Sequence, residues 1–167
     1  EIGVVPAVDQ QRLQGRVALA ARRRQPGGDG LEHVGVLVLG GGHLVLGPRT
    51  GYADELGRAR HEAAPARLTE AAGVRYEEFS NLRTDLALRS ADGSPRGLPI
   101  DATATRWVDG LTVADAEVLA TYQHPHFGRW PAITTRGHGS GRITYVGTVP
   151  GRSLARALGL GAARRKP

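Results

Sequence analysis

The sequence predicts an α/β domain, and three observations carry that expectation. The first is a short apolar burst, His43-Leu44-Val45-Leu46, framed by Gly40-Gly41-Gly42 and Gly47-Pro48. It is too brief for a helix and rich enough in branched residues for a buried strand. Pro48 brings no N–H to a ladder and so ends it. The second is an upstream stripe at helical spacing, Leu13, Val17, Ala20 and Ala21, behind a candidate N-cap at Asp9. The third is a downstream series of strand-like stretches separated by turn residues. The loop Arg49-Thr50-Gly51 leaves the burst at a strand's carboxyl end, where open α/β sheets place ligand or partner contacts.

In chain order, Ile2 to Val8 reads as a strand whose exit is broken by Pro6, and Gln10 to Arg24 as a helix weakened by Gly15. Gln25 to Gly30 forces a turn. Leu31 to Leu46 has two readings. One is a hairpin around the triple glycine, favoured by Val34, Val36 and Val38; the other is a helix ending at the glycines, then one strand. Tyr52 to Glu62 is charged, part helix and part loop. Pro65 opens a short helix to Ala72, and Gly73 supplies its left-handed cap. Strands follow at Val74 to Phe79, Asp85 to Arg89, Thr103 to Val108 and Glu117 to Tyr122, with Ala91 to Pro99 as a loop and Asp109-Gly110 as a tight-turn signal. Pro131 to Arg136 and Arg142 to Val149 flank the hairpin loop Gly137-His138-Gly139-Ser140-Gly141. A terminal helix begins at Pro150 or Ser153, with Leu154, Ala157 and Leu158 on one face.

The 167 residues suit one domain with a real core, and 24 glycines with 10 prolines imply many turns. Cysteine is absent, which removes disulfide and thiolate chemistry and fits a cytoplasmic protein. No apolar run reaches the roughly 18 residues of a membrane span, and Glu1 opens no signal peptide. Methionine is absent too, initiator included, so the chain is expected to be a fragment. The net charge of +6 is carried almost wholly by arginine. Its clusters, Arg22-Arg23-Arg24 and Arg164-Arg165-Lys166, read as solvated basic ends rather than as a nucleic-acid face.

Chemistry-bearing constellations are sparse. Glu77 and Glu78 are adjacent on a strand and face opposite ways, unlike a glycosidase pair flanking one bond. His124-Pro125-His126 has no third ligand placed nearby, so no metal is expected. The glycine loops match neither a dinucleotide fingerprint nor a phosphate loop, and no serine sits in a nucleophile elbow. No cofactor is implied. The most aromatic segment is Tyr122 to Trp130; its aromatic and polar side chains suit stacking on a sugar or insertion into a partner subunit, or simply covering the sheet.

Three segments taken together resemble the trimerisation domain of β-galactosidases of glycoside hydrolase family 42. They are Gly41-Gly42-His43-Leu44-Val45-Leu46 with Arg49-Thr50-Gly51; the helix before Gly73 with Val74-Arg75-Tyr76-Glu77-Glu78-Phe79; and Pro131 to Arg136 followed by Gly139 to Thr148. The match runs over about Gly40 to Leu158, plus Val4 to Val8. The resemblance implies a flavodoxin-like, class I glutamine amidotransferase-like three-layer sandwich, incomplete at the N-terminus, because the family begins one strand and helix earlier. It also implies a homotrimer and a catalytic TIM barrel elsewhere in the parent. That barrel holds both catalytic glutamates, and neither can be assigned to a position here. The expected layout is a single domain over 1–160, an atypical insertion or altered segment at 22–35 and a basic tail at 161–167. Candidate subunit-interface or active-site-rim residues are Arg49, Thr50, Tyr52, His124, His126, Phe127 and Trp130. The alternatives are an amidotransferase-like module binding a small molecule or sugar and, behind it, a basic nucleic-acid-binding domain. No nucleic-acid or membrane partner is expected under the leading reading.

Overall fold

Leu44, Val45 and Leu46 are all buried, as an apolar strand with Pro48 at its exit should be. This strand, β2 (His43–Leu46), runs parallel both to β1 (Val17–Leu19) and to β8 (Gly141–Val146). The computed structural model describes residues 17–19, 38–54, 56–92 and 97–160. The predicted Ile2 to Val8 strand, the Asp9 cap, the Gln25 to Gly30 turn, the whole 22–35 segment, the two basic clusters and the 161–167 tail lie outside the described residues.

The other strands are β3 (Val74–Asn81), β4 (Leu86–Ser90), β5 (Thr103–Val113), β6 (Glu117–Tyr122), β7 (Pro131–His138) and β9 (Thr148–Pro150). Together the nine described strands form one mixed sheet, ordered β1-β2-β8-β7-β6-β4-β5-β3, with β9 on β5. Only β1, β2 and β8 pair in parallel; every other pairing is antiparallel.

That arrangement corrects the expected α/β, flavodoxin-like sandwich. Parallel neighbours need crossovers of about a dozen residues or more, usually helical. Here β7 and β8 are joined by the two-residue linker 139–140 and pair antiparallel. The neighbours β7–β6, β6–β4, β4–β5 and β5–β3 are antiparallel as well, so most of the sheet lacks the parallel pairs of a doubly wound fold. The described helices are α1 (Thr69–Ala72), α2 (Arg152–Ala157), a helix end at Val38–Leu39 and short 3-10 turns, and the described residues are mostly strand. The domain is β-rich.

Two further readings change. Val17 to Leu19, read as part of a helix, is strand β1, paired from Val17↔His43 to Leu19↔Val45. Asp109-Gly110, read as a turn, lies inside the long strand β5. Of the two readings before His43, the helix ending at the glycines is the observed one. Val38 and Leu39 are helical, the Gly41 N–H closes on the Val38 carbonyl, and Gly41 has φ 95°. The described residues of 52–62 form a loop with an Asp54 turn and no helix. The Gly73 cap is as expected, with φ 66°.

The strands also close a ring. β5 pairs with β4, β4 with β6, β6 with β7 and β7 with β8; past Gly147 the chain continues as β9 and pairs back onto β5. Gly147 fastens the bend: its N–H donates to the Ala132 carbonyl, and its carbonyl accepts the Asp109 N–H and the Tyr122 hydroxyl. Alternation along the strands then fills two cores. Val45, Val108, Ala120, Tyr122, Ile133, Val146 and Leu154 pack in one. Leu44, Leu46, Val74, Tyr76, Leu111, Ile143 and Tyr145 pack in the other, against α1. Each fully buried branched side chain contributes about 1.5–3 kcal/mol over exposure.

Candidate functional site

Strand β5 is the partition on which the candidate residues are arranged. Trp107, Asp109 and Leu111 point to one side, and Val108 and Gly110 to the other.

On the first side the loop after β2 folds back over the sheet. Arg49, at φ 63°, places its guanidinium 5.0 Å from the Tyr52 ring and 5.8 Å from the Trp107 ring. Phe79 on β3 stacks on Trp107 at 4.7 Å and meets Tyr52 edge-on at 6.2 Å. Phe79 keeps 47% of its surface exposed. Beneath these rings lies Asp109, fully buried. Its Oδ1 accepts from Trp107 Nε1 at 2.6 Å and its Oδ2 from the Tyr145 hydroxyl at 3.0 Å. Burial raises the Asp109 pKa to about 6; hydrogen bonds from Trp107, Tyr145 and the Arg49 backbone, and the Arg49 charge, hold it from rising further. Burial likewise pushes Tyr76, Tyr122 and Tyr145 upward, and the Asp109 charge adds to each. The buried Tyr76 hydroxyl has no hydrogen-bond partner among the described residues.

On the second side Trp130 lies against Gly110. A side chain at Gly110 would put its Cβ 2.8 Å from Trp130 Cε2, so glycine is required for this close approach. Phe127 stacks near Trp130 at 6.1 Å, and His126 meets both rings edge-on. Arg129 sits 4.3 Å over Trp130 and pairs with Glu78 at 3.4 Å, both partners being exposed. His124 has a local role: its Nδ1 accepts from the N–H groups of His126 and Phe127, each at 3.1 Å.

The structure therefore brings Arg49 together with Tyr52, and His126 with Phe127 and Trp130, but on opposite faces of β5. Thr50 joins neither group; its hydroxyl donates to the Gly47 carbonyl at 2.7 Å and stabilises the turn. Phe79, Trp107, Asp109 and Tyr145 are the members that sequence reasoning missed. The available signal was Asp109-Gly110 between two apolar stretches, where a continuous strand would have put a carboxylate indoors.

A third feature is an open depression of about 590 Å³ at the opposite end of β2, lined by Gly41, Gly42, His43, Thr135, Arg136 and Arg142 among others. His43 Nε2 hydrogen-bonds Thr144 at 2.8 Å, and Arg136 is engaged by Asp115 and the Glu70 carbonyl. Among the described residues no group of three or more His, Cys, Asp or Glu side chains is placed to hold a metal ion, and no helix is long and apolar enough to cross a membrane.

Fold and site together define a β-rich domain whose candidate surfaces are aromatic and arginine-bearing. Residues 29–166 match the β-galactosidase trimerisation domain, and the chain belongs to that family, which is found in β-galactosidases of glycoside hydrolase family 42. It is 31% identical over 129 residues to β-galactosidase Bga of Halorubrum lacusprofundi, covering 72% of this chain and 18% of that protein. It is 34% identical over 132 residues to β-galactosidase BbgII of Bifidobacterium bifidum, with the same 72% and 18% coverage. The chain thus spans about a fifth of the length of the curated relatives it matches. Among solved structures, a β-galactosidase from Rahnella sp. R3 shares the fold at a TM-score of 0.67 and 23% identity, over 77% of this chain and 20% of that one.

Proposed function

We propose that this chain is the non-catalytic, subunit-associating part of a cytoplasmic β-galactosidase, and that its work is closed cyclic assembly into a trimer. In the parent enzyme a TIM-barrel domain would carry the two catalytic glutamates and hydrolyse terminal β-D-galactosides with retention, through a covalent glycosyl-enzyme intermediate. The single observation that carries this reading is the family match over residues 29–166. The absence of cysteine from the sequence supports the cytoplasmic assignment. Arg49 and Tyr52 act as interface anchors on one face of β5. His124, His126, Phe127 and Trp130 form the rim on the other, with Thr50 shaping the first loop. Arginine and large aromatic side chains are the residue types that dominate association energetics, which supports this placing.

Sedimentation equilibrium of the chain tests the assembly role. A trimer is expected, with Arg49→Glu weakening association at least tenfold. A species that stays monomeric at every concentration would overturn the trimer reading. A chromogenic galactoside tests the division of labour: no turnover is expected from the chain alone, and turnover would remove the need for a barrel.

A further inference from the structure

The buried polar cluster under Arg49 has a feature that neither packing nor assembly requires. Asp109 is a carboxylate with no exposed surface, yet the groups facing it supply only part of a counter-charge. Those groups are Arg49 from the loop after β2, Trp107 on its own strand, Tyr76 from β3, Tyr122 from β6 and Tyr145 from β8, with Tyr52 beside Tyr76. The Tyr122 hydroxyl is committed to the Gly147 carbonyl at 2.9 Å. The Tyr145 hydroxyl donates to Asp109, while the Tyr76 hydroxyl next to it is buried and donates to nothing described. A buried phenol left unpaired costs about 1–3 kcal/mol unless some other state uses it.

We propose that Asp109, Tyr145 and Tyr76 form a buried proton switch that sets how firmly the Arg49–Tyr52 loop is held over strand β5. In the ionised state Asp109 accepts from both Trp107 and Tyr145 and attracts the Arg49 cation. In the protonated state a proton from solvent binds Oδ2, and the new O–H donates to the Tyr145 oxygen. Tyr145 turns its own proton toward the Tyr76 oxygen, which gains the hydrogen bond it lacks. The O–H bond formed at Oδ2 replaces one broken in hydronium, which leaves as water, and nothing is oxidised or reduced. Arg49 then faces a neutral acid, and its hold on the loop is reduced to the two aromatic rings and its backbone. Burial places the midpoint near pH 6.

Trp107 reports on the switch because its Nε1 donates directly to Asp109. In the Trp130→Phe chain it is the remaining tryptophan, since the sequence holds two. Its emission between pH 4.5 and 7.5 is expected to follow one proton with a midpoint near 6. Asp109→Asn should abolish the transition; the amide can still accept from Trp107 and donate to Tyr145, so the fold is retained, and near-ultraviolet circular dichroism checks this. Tyr76→Phe removes the relayed proton's acceptor and should lower the midpoint by about half a pH unit. Tyr145→Phe removes a donor to the carboxylate and should raise it. A flat emission profile in the Trp130→Phe chain, a transition that survives Asp109→Asn, or equal midpoints in the two tyrosine variants would each overturn the switch.

Discussion

The two faces of β5 carry aromatic clusters of similar make-up on different foundations. Trp130 rests on the bare backbone of Gly110 and packs toward a core of Val108, Ala120, Ile133 and Val146. Trp107 rests on a buried carboxylate. One tryptophan is held by shape, the other by hydrogen bonding to a charge. Shape responds to lost volume, and a buried charge responds to pH. The contrast shows how one strand can present a fixed surface on one side and an adjustable one on the other.

The two foundations respond to different substitutions. Trp130→Ala strips the shape-held side and should cost about 3 kcal/mol of unfolding free energy in a urea titration. A smaller loss, under about 1 kcal/mol, would show that Gly110 is not covered in solution. The charge-held side predicts a pH effect of roughly 2–3 kcal/mol. Its sign follows from the raised Asp109 pKa, about 6 against the ordinary 3.8. Between those values the folded state holds the proton more tightly, so this contribution to stability is greatest near pH 4. It falls as pH rises toward 6 and levels off above. The difference between the parent chain and Asp109→Asn, followed by urea midpoints across pH, isolates it; a constant difference would mean that Asp109 does not titrate there. Tyr145→Phe should cost about 2 kcal/mol at pH 7.5 and about 1 kcal/mol or less at pH 4.5, because a bond to a charged acceptor is worth more than one to a neutral acid. The smallest effect belongs to Arg129→Ala. Its pair with Glu78 is exposed, so about 0.5 kcal/mol is expected, fading in high salt.

The sequence shows one of these faces far better than the other. His124 to Trp130 is a contiguous run, so its aromatic density can be read directly. Its 3-10 turn and its histidine cap are local, and local chemistry is what sequence patterns encode. The opposite cluster is drawn from Arg49, Tyr52, Tyr76, Phe79, Trp107, Asp109 and Tyr145, which meet only once β3, β5 and β8 are in place. Asp109-Gly110 even pointed the wrong way: in isolation it favours a turn. Long-range partners, Tyr145 on Asp109 and Trp130 over Gly110, instead hold it within the continuous strand β5. At the level of the fold, the strands after Gly73 and the parallel β2 were legible from alternation and stop residues. The family was legible from the ordered set of segments. The sandwich was not, because the resemblance supplied a layer arrangement of parallel strands, whereas the neighbours from β8 to β3 pair antiparallel, long-range contacts that no local window contains. Val17 to Leu19 shows the same limit on a smaller scale. Helical spacing of Leu13, Val17, Ala20 and Ala21 is outweighed by parallel pairing to β2, a contact no local window contains.

The bend at Gly147 has a mechanical consequence. β8 and β9 are one run of chain shared by both faces of the domain, and the bend is clamped to β7 on one side and β5 on the other. Among the described residues, the circuit of β4 to β9 therefore has no break along which one half would open while the other stays shut. The amide protons of Gly147 and Asp109 should exchange with heavy water only when the whole domain opens, at a common slow rate.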